Sequence, residues 1–345
     1  MARADHKFGW LELRPGGLYC APADIYIDPG RGVPSAIITH GHADHARPGH
    51  GKVLATPETL AIMGVRYPAD TPETQALAYG ERITIGGVHI WLSPAGHVLG
   101  SAQVALEYGG ERIVVSGDYK RRPDPTAVAF EVIKCDLFIT EATFALPVFR
   151  HPPAEQEVQK LLTSIAQFPK QAHVLGVYGL GKCQRMLLLV REAGFEEPIY
   201  LHGALIKLTE LYQSFGFDFG DVRPVAGTDK AELAKALIFA PPSAIQDKWS
   251  RRFQNPRTAV ASGWMRVRAR ARQRGAELPL VISDHADWDE LLMTCKETDA
   301  EEVWITHGRE DALAHALIAA GQRARPLRIA GREEEAALSD DASIL

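Results

Sequence analysis

The sequence predicts an α/β protein of two domains, and three observations carry that expectation. The chain has 345 residues, which suits two domains at about 100–200 residues each. Its first 140 residues alternate short apolar runs with Gly, Pro and Asp turns, the texture of short strands. From about residue 150, strand-like and helix-like runs alternate, as in a parallel sheet with crossover helices. Hydrophobic residues make up 46% and charged residues 23%, a balance that excludes a disordered, collagen-like or coiled-coil chain. No apolar run approaches the ~18 residues of a membrane span.

Strands are expected at 24–28, 35–40, 52–56, 102–108, 112–118 and 136–142, with a hairpin over 82–94 turning at Gly86-Gly87. Thr56 and Pro57 have the residue types of an N-cap and a first helical position, so a short helix opens there. Pro152-Pro153 precede a helix at 154–168. Strands at 173–179 and 198–203 then alternate with helices at 182–194 and 204–216, and apolar runs follow at 236–242 and 258–263. After Pro279 come a strand (280–284), a helix (288–298), a strand (301–307) and a helix (312–322), then an acidic tail at 331–345.

Cys20, Cys135, Cys183 and Cys295 are far apart and form no C-x-x-C pair, so reduced thiols in a cytoplasmic protein are expected. The polar start, MARADHKFGW, has no apolar stretch of a signal peptide. A net charge of -5 argues against a protein coated in basic residues, although a local basic groove stays open. The 13 histidines are a surplus of the commonest metal ligand.

Residues 39–45 read Thr-His-Gly-His-Ala-Asp-His. His40, His42, Asp44 and His45 therefore place four ligand-type side chains within six positions, on a loop that follows a strand. In this order the first two histidines can bind one metal, and the aspartate and last histidine can point to a second. Mixed imidazole and carboxylate donors suit zinc, manganese or ferrous iron rather than calcium or magnesium. One loop cannot complete two coordination spheres, so further ligands are expected at other strand ends. His97, Asp118 and Asp28 each follow such a strand. Alone, each would read as a packed loop histidine or a turn-forming aspartate; beside the first cluster they are better explained together.

Asp28, the HGHADH run, AGHVLGSA around His97 and SGDY around Asp118 resemble the four ordered motifs of the metallo-β-lactamase fold. TEATFALP with Glu141, VISDHAD with His285 and VWITHGRED with His307 resemble the A, B and C motifs of the β-CASP nucleases. That branch includes the cleavage-and-polyadenylation endonuclease, RNase J, Artemis-type enzymes and a bacterial DNA ligase-associated exonuclease family. The segments IDPGRGVPSAIITHGHADHARPGHG, VYGLGKCQRML, IYLHGA and ASGWMRVR look most like the last of these. The likeness covers nearly the whole chain. It implies an αββα sandwich built from 1–150 and 279–345, with a β-CASP domain inserted at 151–278 and closing over the metals. It further implies one metal held by His40, His42, His97 and Asp118 and another by Asp44, His45, Asp118 and His307. Asp118 would bridge them, while Asp28 and Glu141 would fix the tautomers of the ligating histidines. DNA, as a single strand or duplex end, is the implied substrate and RNA the alternative. Functional partnership with an ATP-dependent DNA ligase and a helicase is implied too.

Two divalent ions, zinc first with manganese or iron as alternatives, can hold a shared water as hydroxide and neutralise charge on a phosphate oxygen. In-line attack then expels the 3′-oxygen and leaves a 5′-phosphate. Asp44 would orient the hydroxide, and His285 would protonate the leaving oxygen or bind the scissile phosphate.

In the insert, Gly179-Leu180-Gly181-Lys182 joins a strand to a helix, where amide N–H groups, Lys182 and Arg185 suit a phosphate. The full P-loop pattern is absent, so nucleotide hydrolysis is not supported. Residues 248–276 carry Lys248 and eight arginines and no Asp or Glu. One helix there would put Arg266, Arg270 and Arg274 on a common face, with Trp264 nearby to stack a base. Lys120, Arg121 and Arg122, just after Asp118, are expected to contact flanking phosphates.

A DNA exonuclease is thus expected, with an RNA-processing ribonuclease as the alternative. His307 favours the latter, since Artemis-type DNA enzymes usually carry valine at this motif and RNA-acting relatives carry histidine. A small-molecule hydrolase on the same core is disfavoured by the insert and its arginines. A non-catalytic scaffold is disfavoured by the complete ligand set.

Overall fold

The computed structural model describes residues 7–327, so the acidic tail at 331–345 lies outside the described residues. The chain divides into two compact units. Among the described residues, one unit takes the chain up to Pro147 and again from His285, and the other is Val148–Asp284.

The first unit opens with Leu11–Arg14 (β1), Gly17–Cys20 (β2), Ile25–Ile27 (β3), Ser35–Ile37 (β4), Lys52–Ala55 (β5) and Glu73–Ala76 (β6). They form one sheet in chain order, antiparallel from β1 to β3 and parallel from β3 to β6. Helix α1 (Pro57–Arg66) starts where the sequence places it: Thr56 caps it by accepting from Thr59 N, and proline occupies the first turn. Next come Arg82–Ile85 (β7), Val88–Pro94 (β8), Ala102–Tyr108 (β9), Glu111–Val115 (β10) and Leu137–Ala142 (β11). Gly86 and Gly87 both take positive φ in the β7–β8 hairpin, a turn conformation that glycine adopts without penalty.

The second unit is a parallel sheet. Its strands are His173–Gly176 (β12), Ile199–Leu201 (β13), Val222–Pro224 (β14), Leu237–Ala240 (β15), Arg257–Ala261 (β16) and Leu278–Leu280 (β17). They are ordered β14-β13-β15-β12-β16-β17, all pairs parallel. Helices Ala154–Gln167 (α2), Lys182–Glu192 (α3) and Gly203–Ser214 (α4) are joined by the shorter Lys230–Leu233 (α5), Pro242–Gln246 (α6) and Arg268–Gln273 (α7). Val174, Ile238 and Val260 from its strands pack with Tyr200, Phe253 and Met265.

The chain then returns to the first unit as helix Trp288–Glu297 (α8), Glu302–Gly308 (β18), helix Glu310–Ala319 (α9) and Arg323–Pro326 (β19). These strands complete a second sheet, β19-β18-β11-β10-β9-β8-β7. Strand alternation sorts the core into layers. Ile37 and Leu54 of the first sheet meet Ile90, Val104, Ile113 and Ile139 of the second. Ala36, Ile38 and Val53 face the opposite way, onto Met63 of α1. Val114, Phe138, Val303 and Ile305 turn to Leu291 and Cys295 of α8 and Leu313 and Leu317 of α9. The result is the expected αββα sandwich, and strands covered on both faces read as the continuous apolar runs seen in the sequence.

Two expectations need correction. The strand placed at 280–284 lies earlier, at β17, with Pro279 tolerated because β17 is an edge. Beyond it, Lys182 Nζ donates to Ile282 O (2.9 Å) and Arg185 Nη1 to Ser283 O (2.6 Å), so side chains rather than a neighbouring strand satisfy these carbonyls. Nor do Arg266, Arg270 and Arg274 share a helix face. Gly263–Arg266 is a separate 3-10 turn, Val267 is extended, and α7 begins at Arg268.

Candidate metal centre

All the metal-ligand candidates of the sequence lie in the first unit, at the carboxyl ends of its strands. Asp28 follows β3, and the HGHADH loop follows β4. His97 lies between β8 and β9, Asp118 follows β10, Glu141 is near the end of β11 and His307 near the end of β18. One group brings together His40, His42, His97 and Asp118, and a second brings together His45, Asp118 and His307. In each, the ligand atoms lie within 4.8 Å of one another. Asp118 belongs to both. His40 Nε2, His45 Nε2 and His97 Nε2 lie 3.5, 3.4 and 3.9 Å from its Oδ2.

Asp28 organises the floor of this site. Its Oδ1 accepts from Thr39 N (2.8 Å), and its Oδ2 accepts from Thr39 Oγ1 (2.6 Å) and His45 Nδ1 (2.7 Å). The single hydroxyl proton of Thr39 is thereby committed to Asp28. Thr39 Oγ1 must then accept from His40 Nδ1, 3.0 Å away. Both histidines are fixed with Nδ1 protonated and Nε2 facing Asp118. Asp28 thus sets His45 directly and His40 through Thr39, a residue that sequence reasoning missed because threonine beside histidine carries no pattern of its own. Arg66 adds a second unforeseen contact, donating to Gly41 O (2.9 Å) between the first two ligands of the loop.

Glu141 is placed differently from the expectation that it would serve a metal ligand. Its carboxylate lies 3.0 and 3.1 Å from His285 Nδ1 and accepts from Tyr119 N (2.8 Å). Glu141, Asp118 and His285 form a third compact group. His285 Nδ1 lies 4.0 Å from Asp118 Oδ2, and its ring packs 4.6 Å from that of His97.

The residues present fit divalent cations. His40, His45, His97, Asp28, Asp118 and Glu141 are buried, whereas His42, Asp44, His285 and His307 are half-exposed and form an open rim. His42 Nδ1 faces two other imidazole nitrogens, His40 Nε2 at 3.1 Å and His97 Nε2 at 2.9 Å. Among the described residues, His45 Nε2 is buried with no hydrogen-bond partner, its nearest acid oxygen being Asp118 Oδ2 at 3.4 Å. Burial opposes charge on His45, yet Asp118, Asp44 and Asp28 together hold its proton well above the ordinary histidine range. Burial likewise opposes charge on Asp118, and His45, His285 and His40 overcome it and hold the carboxylate well below its ordinary range. Burial, reinforced by His45, pushes His40 well below. Carboxylates that hold a proton this firmly on a buried imidazole make a place for positive charge, and clustered imidazole nitrogens favour a cation there.

Backbone geometry serves the same end. Gly117 has φ +56°, and a Cβ there would lie 2.8 Å from Thr39 Cβ, so glycine lets Asp118 approach the loop. His307 has φ +54° and precedes Gly308 at φ +116°, beside a register irregularity between β11 and β18. A β-bulge of this kind re-aims a side chain at a strand end.

The basic residues assigned to nucleic acid are only partly available. Lys120 is 1% exposed and pairs with Asp124, so it locks its loop instead of facing solvent. Arg121 reaches Thr294 Oγ1 (2.9 Å) and Glu297 (2.7 Å), and Arg122 reaches Asp287 (2.7 Å), all on or beside α8. Lys182 and Arg185 are buried and pair with Asp284 at 2.8 and 3.1 Å, which takes their charge out of the predicted phosphate cradle. In the second unit Arg266 is exposed, and Arg270 stands 4.7 Å over the ring of Trp264.

No family model matches the chain. A protein of Opitutus terrae described as "Probable DNA ligase" is 30% identical over 310 residues, covering 87% of this chain and 29% of its own length. "Endoribonuclease YSH1" of Gibberella zeae is 34% identical over 178 residues, covering 48% of this chain and 21% of its own. The chain therefore spans less than a third of either relative. A crystal structure of a protein of unknown function from Enterococcus faecalis V583 has a TM-score of 0.54 at 13% identity, over 84% of this chain and 78% of that one. It matches the fold alone. With an αββα sandwich split by a parallel α/β insert, two ligand groups joined at Asp118 and these relatives, the chain belongs to the β-CASP branch of the metallo-β-lactamase fold.

Proposed function

We propose that this chain is a metal-dependent nuclease that hydrolyses DNA from an end and leaves 5′-phosphates. The observation that carries the proposal is the pair of ligand groups sharing Asp118, with an open rim at His42, Asp44, His285 and His307. Zinc is the proposed metal, with manganese or iron as alternatives, because the donors are mostly imidazole with few carboxylates. Two divalent ions bound there would supply Lewis acidity to a phosphodiester and lower the pKa of water.

The remaining chemistry belongs to the chain. Asp44, on the rim, is the group proposed to orient the attacking nucleophile. Glu141 fixes His285 with Nδ1 protonated, so proton exchange with the leaving 3′-oxygen runs through Nε2. Trp264, Arg266 and Arg270 are proposed to contact the nucleic acid. DNA is supported by the Opitutus relative, matched over 87% of this chain and described as a probable DNA ligase. The same likeness motivates functional partnership with a ligase and a helicase. The buried thiols of the four cysteines support a cytoplasmic setting. A ribonuclease is the second reading, favoured by His307 in the second ligand group and by the YSH1 relative.

Incubating metal-loaded protein with 5′- and 3′-labelled DNA and RNA strands, in zinc and separately in manganese, tests both readings. A ladder growing from one DNA end is expected. Preferential RNA cleavage selects the ribonuclease, and no cleavage of any strand overturns the nuclease.

A further inference from the structure

The second unit carries an aromatic and basic patch apart from Trp264, Arg266 and Arg270. His202 stands at the carboxyl end of β13, where its Nδ1 accepts from Ala204 N and caps α4. Its ring meets Trp249 edge to face at 4.7 Å. Trp249 lies in the 3-10 turn Lys248–Arg252, reached from the carboxyl end of β15. Arg252 stands 5.1 Å over the Trp249 ring, and Phe253 anchors it from the core side at 5.1 Å. Across β12, the carboxyl end of β16 leads into Trp264 beneath Arg270. The two indole–guanidinium stacks thus leave strands on either side of the central strand β12. Ligands of parallel α/β sheets bind outside this edge.

Charge supports the same occupant. Lys248, Arg251, Arg252, Arg266 and Arg268 are exposed, and among the described residues no carboxylate pairs with them. An uncompensated cationic edge with half-exposed indoles suits phosphates spaced by flat bases. We propose that the carboxyl edge of this sheet is a track for single-stranded nucleic acid, with Trp249 stacking a base while Arg251 and Arg252 contact the adjoining phosphates. The proposal deepens the nuclease reading and rests on it.

The test is fluorescence anisotropy with labelled single-stranded DNA, single-stranded RNA and blunt duplex, in chelator so that nothing is cleaved. Both single strands are expected to bind more tightly than duplex, and the tighter of the two identifies the preferred sugar. Trp249→Ala should weaken single-strand binding about tenfold. Arg251→Ala with Arg252→Ala should lower the slope of log affinity against log salt by about 1.4, at about 0.7 per phosphate contact. Both arginines are exposed, so this double variant carries the test even where Trp249→Ala fails to fold. Wild-type affinity in both variants overturns the track, as does duplex binding equal to single-strand binding. Cleavage by metal-loaded protein is scored separately, so a failed track and a failed nuclease give different results.

Discussion

Asp28 Oδ2 accepts a 2.7 Å hydrogen bond from His45 Nδ1 while the same carboxylate holds both the amide and the hydroxyl of Thr39. One buried acid therefore sets two imidazoles of two different ligand groups. Asp28→Asn keeps the shape but replaces one acceptor oxygen with a donor. Affinity for zinc is expected to fall about 10–100-fold, measured by competition with a chromogenic chelator. Unchanged affinity would show that the loop positions its histidines without Asp28.

Metal removal should expose a distinct pH profile. His45 has a raised proton affinity in the fold, so its contribution is complete below the unfolded value of 6.5 and is lost as pH rises toward the folded one. His40 is lowered, so its contribution is complete above 6.5 and is lost as pH falls. The chelated protein is therefore expected to be most stable near pH 6.5, with each flank falling by up to about 1.4 kcal/mol per pH unit. Saturating metal adds about 4 kcal/mol at a thousandfold excess over Kd. Calorimetry across pH 5–8, with and without metal, reads both effects; a flat profile in chelator would contradict this charge arrangement.

Gly308→Ala tests the bulge that aims His307. The new Cβ would sit 2.2 Å from Ala142 O, at φ +116°. The backbone must shift, at an expected cost of about 1–3 kcal/mol. His307 should move with it and the protein should lose one of two bound metal equivalents, counted by elemental analysis. Full metal content would mean that the second group tolerates a displaced β18 end.

Glu141→Gln separates chemistry from metal binding. It removes the carboxylate 3.0 Å from His285 Nδ1, so kcat should drop about 10–100-fold while metal content and KM hold. His285→Ala should drop kcat by about 10²–10⁴-fold. Wild-type turnover in a fully metal-loaded His285→Ala protein would remove that histidine from the reaction.

What could be read from the sequence follows how local each feature is. The HGHADH loop is legible because four donors share six positions. His97, His285 and His307 are each a lone histidine after a strand, and only their resemblance to known motifs separates them from packed loop histidines. The αββα layers were legible for a similar reason, since strands covered on both faces stay apolar throughout. Partner choice was not. Nothing in Lys120 or Lys182 as residue types shows that Asp124 and Asp284 take up their charge. The arginine run was misread because Val267, extended between two short helical turns, breaks the periodicity that the spacing suggested.

Strands β11 and β18 are hydrogen-bonded neighbours, yet the whole second unit lies between them in the chain. During synthesis the first ligand group is complete once Asp118 has left the ribosome, whereas His285 and His307 follow only after more than a hundred further residues. The second group therefore cannot be assembled until translation has passed the insert.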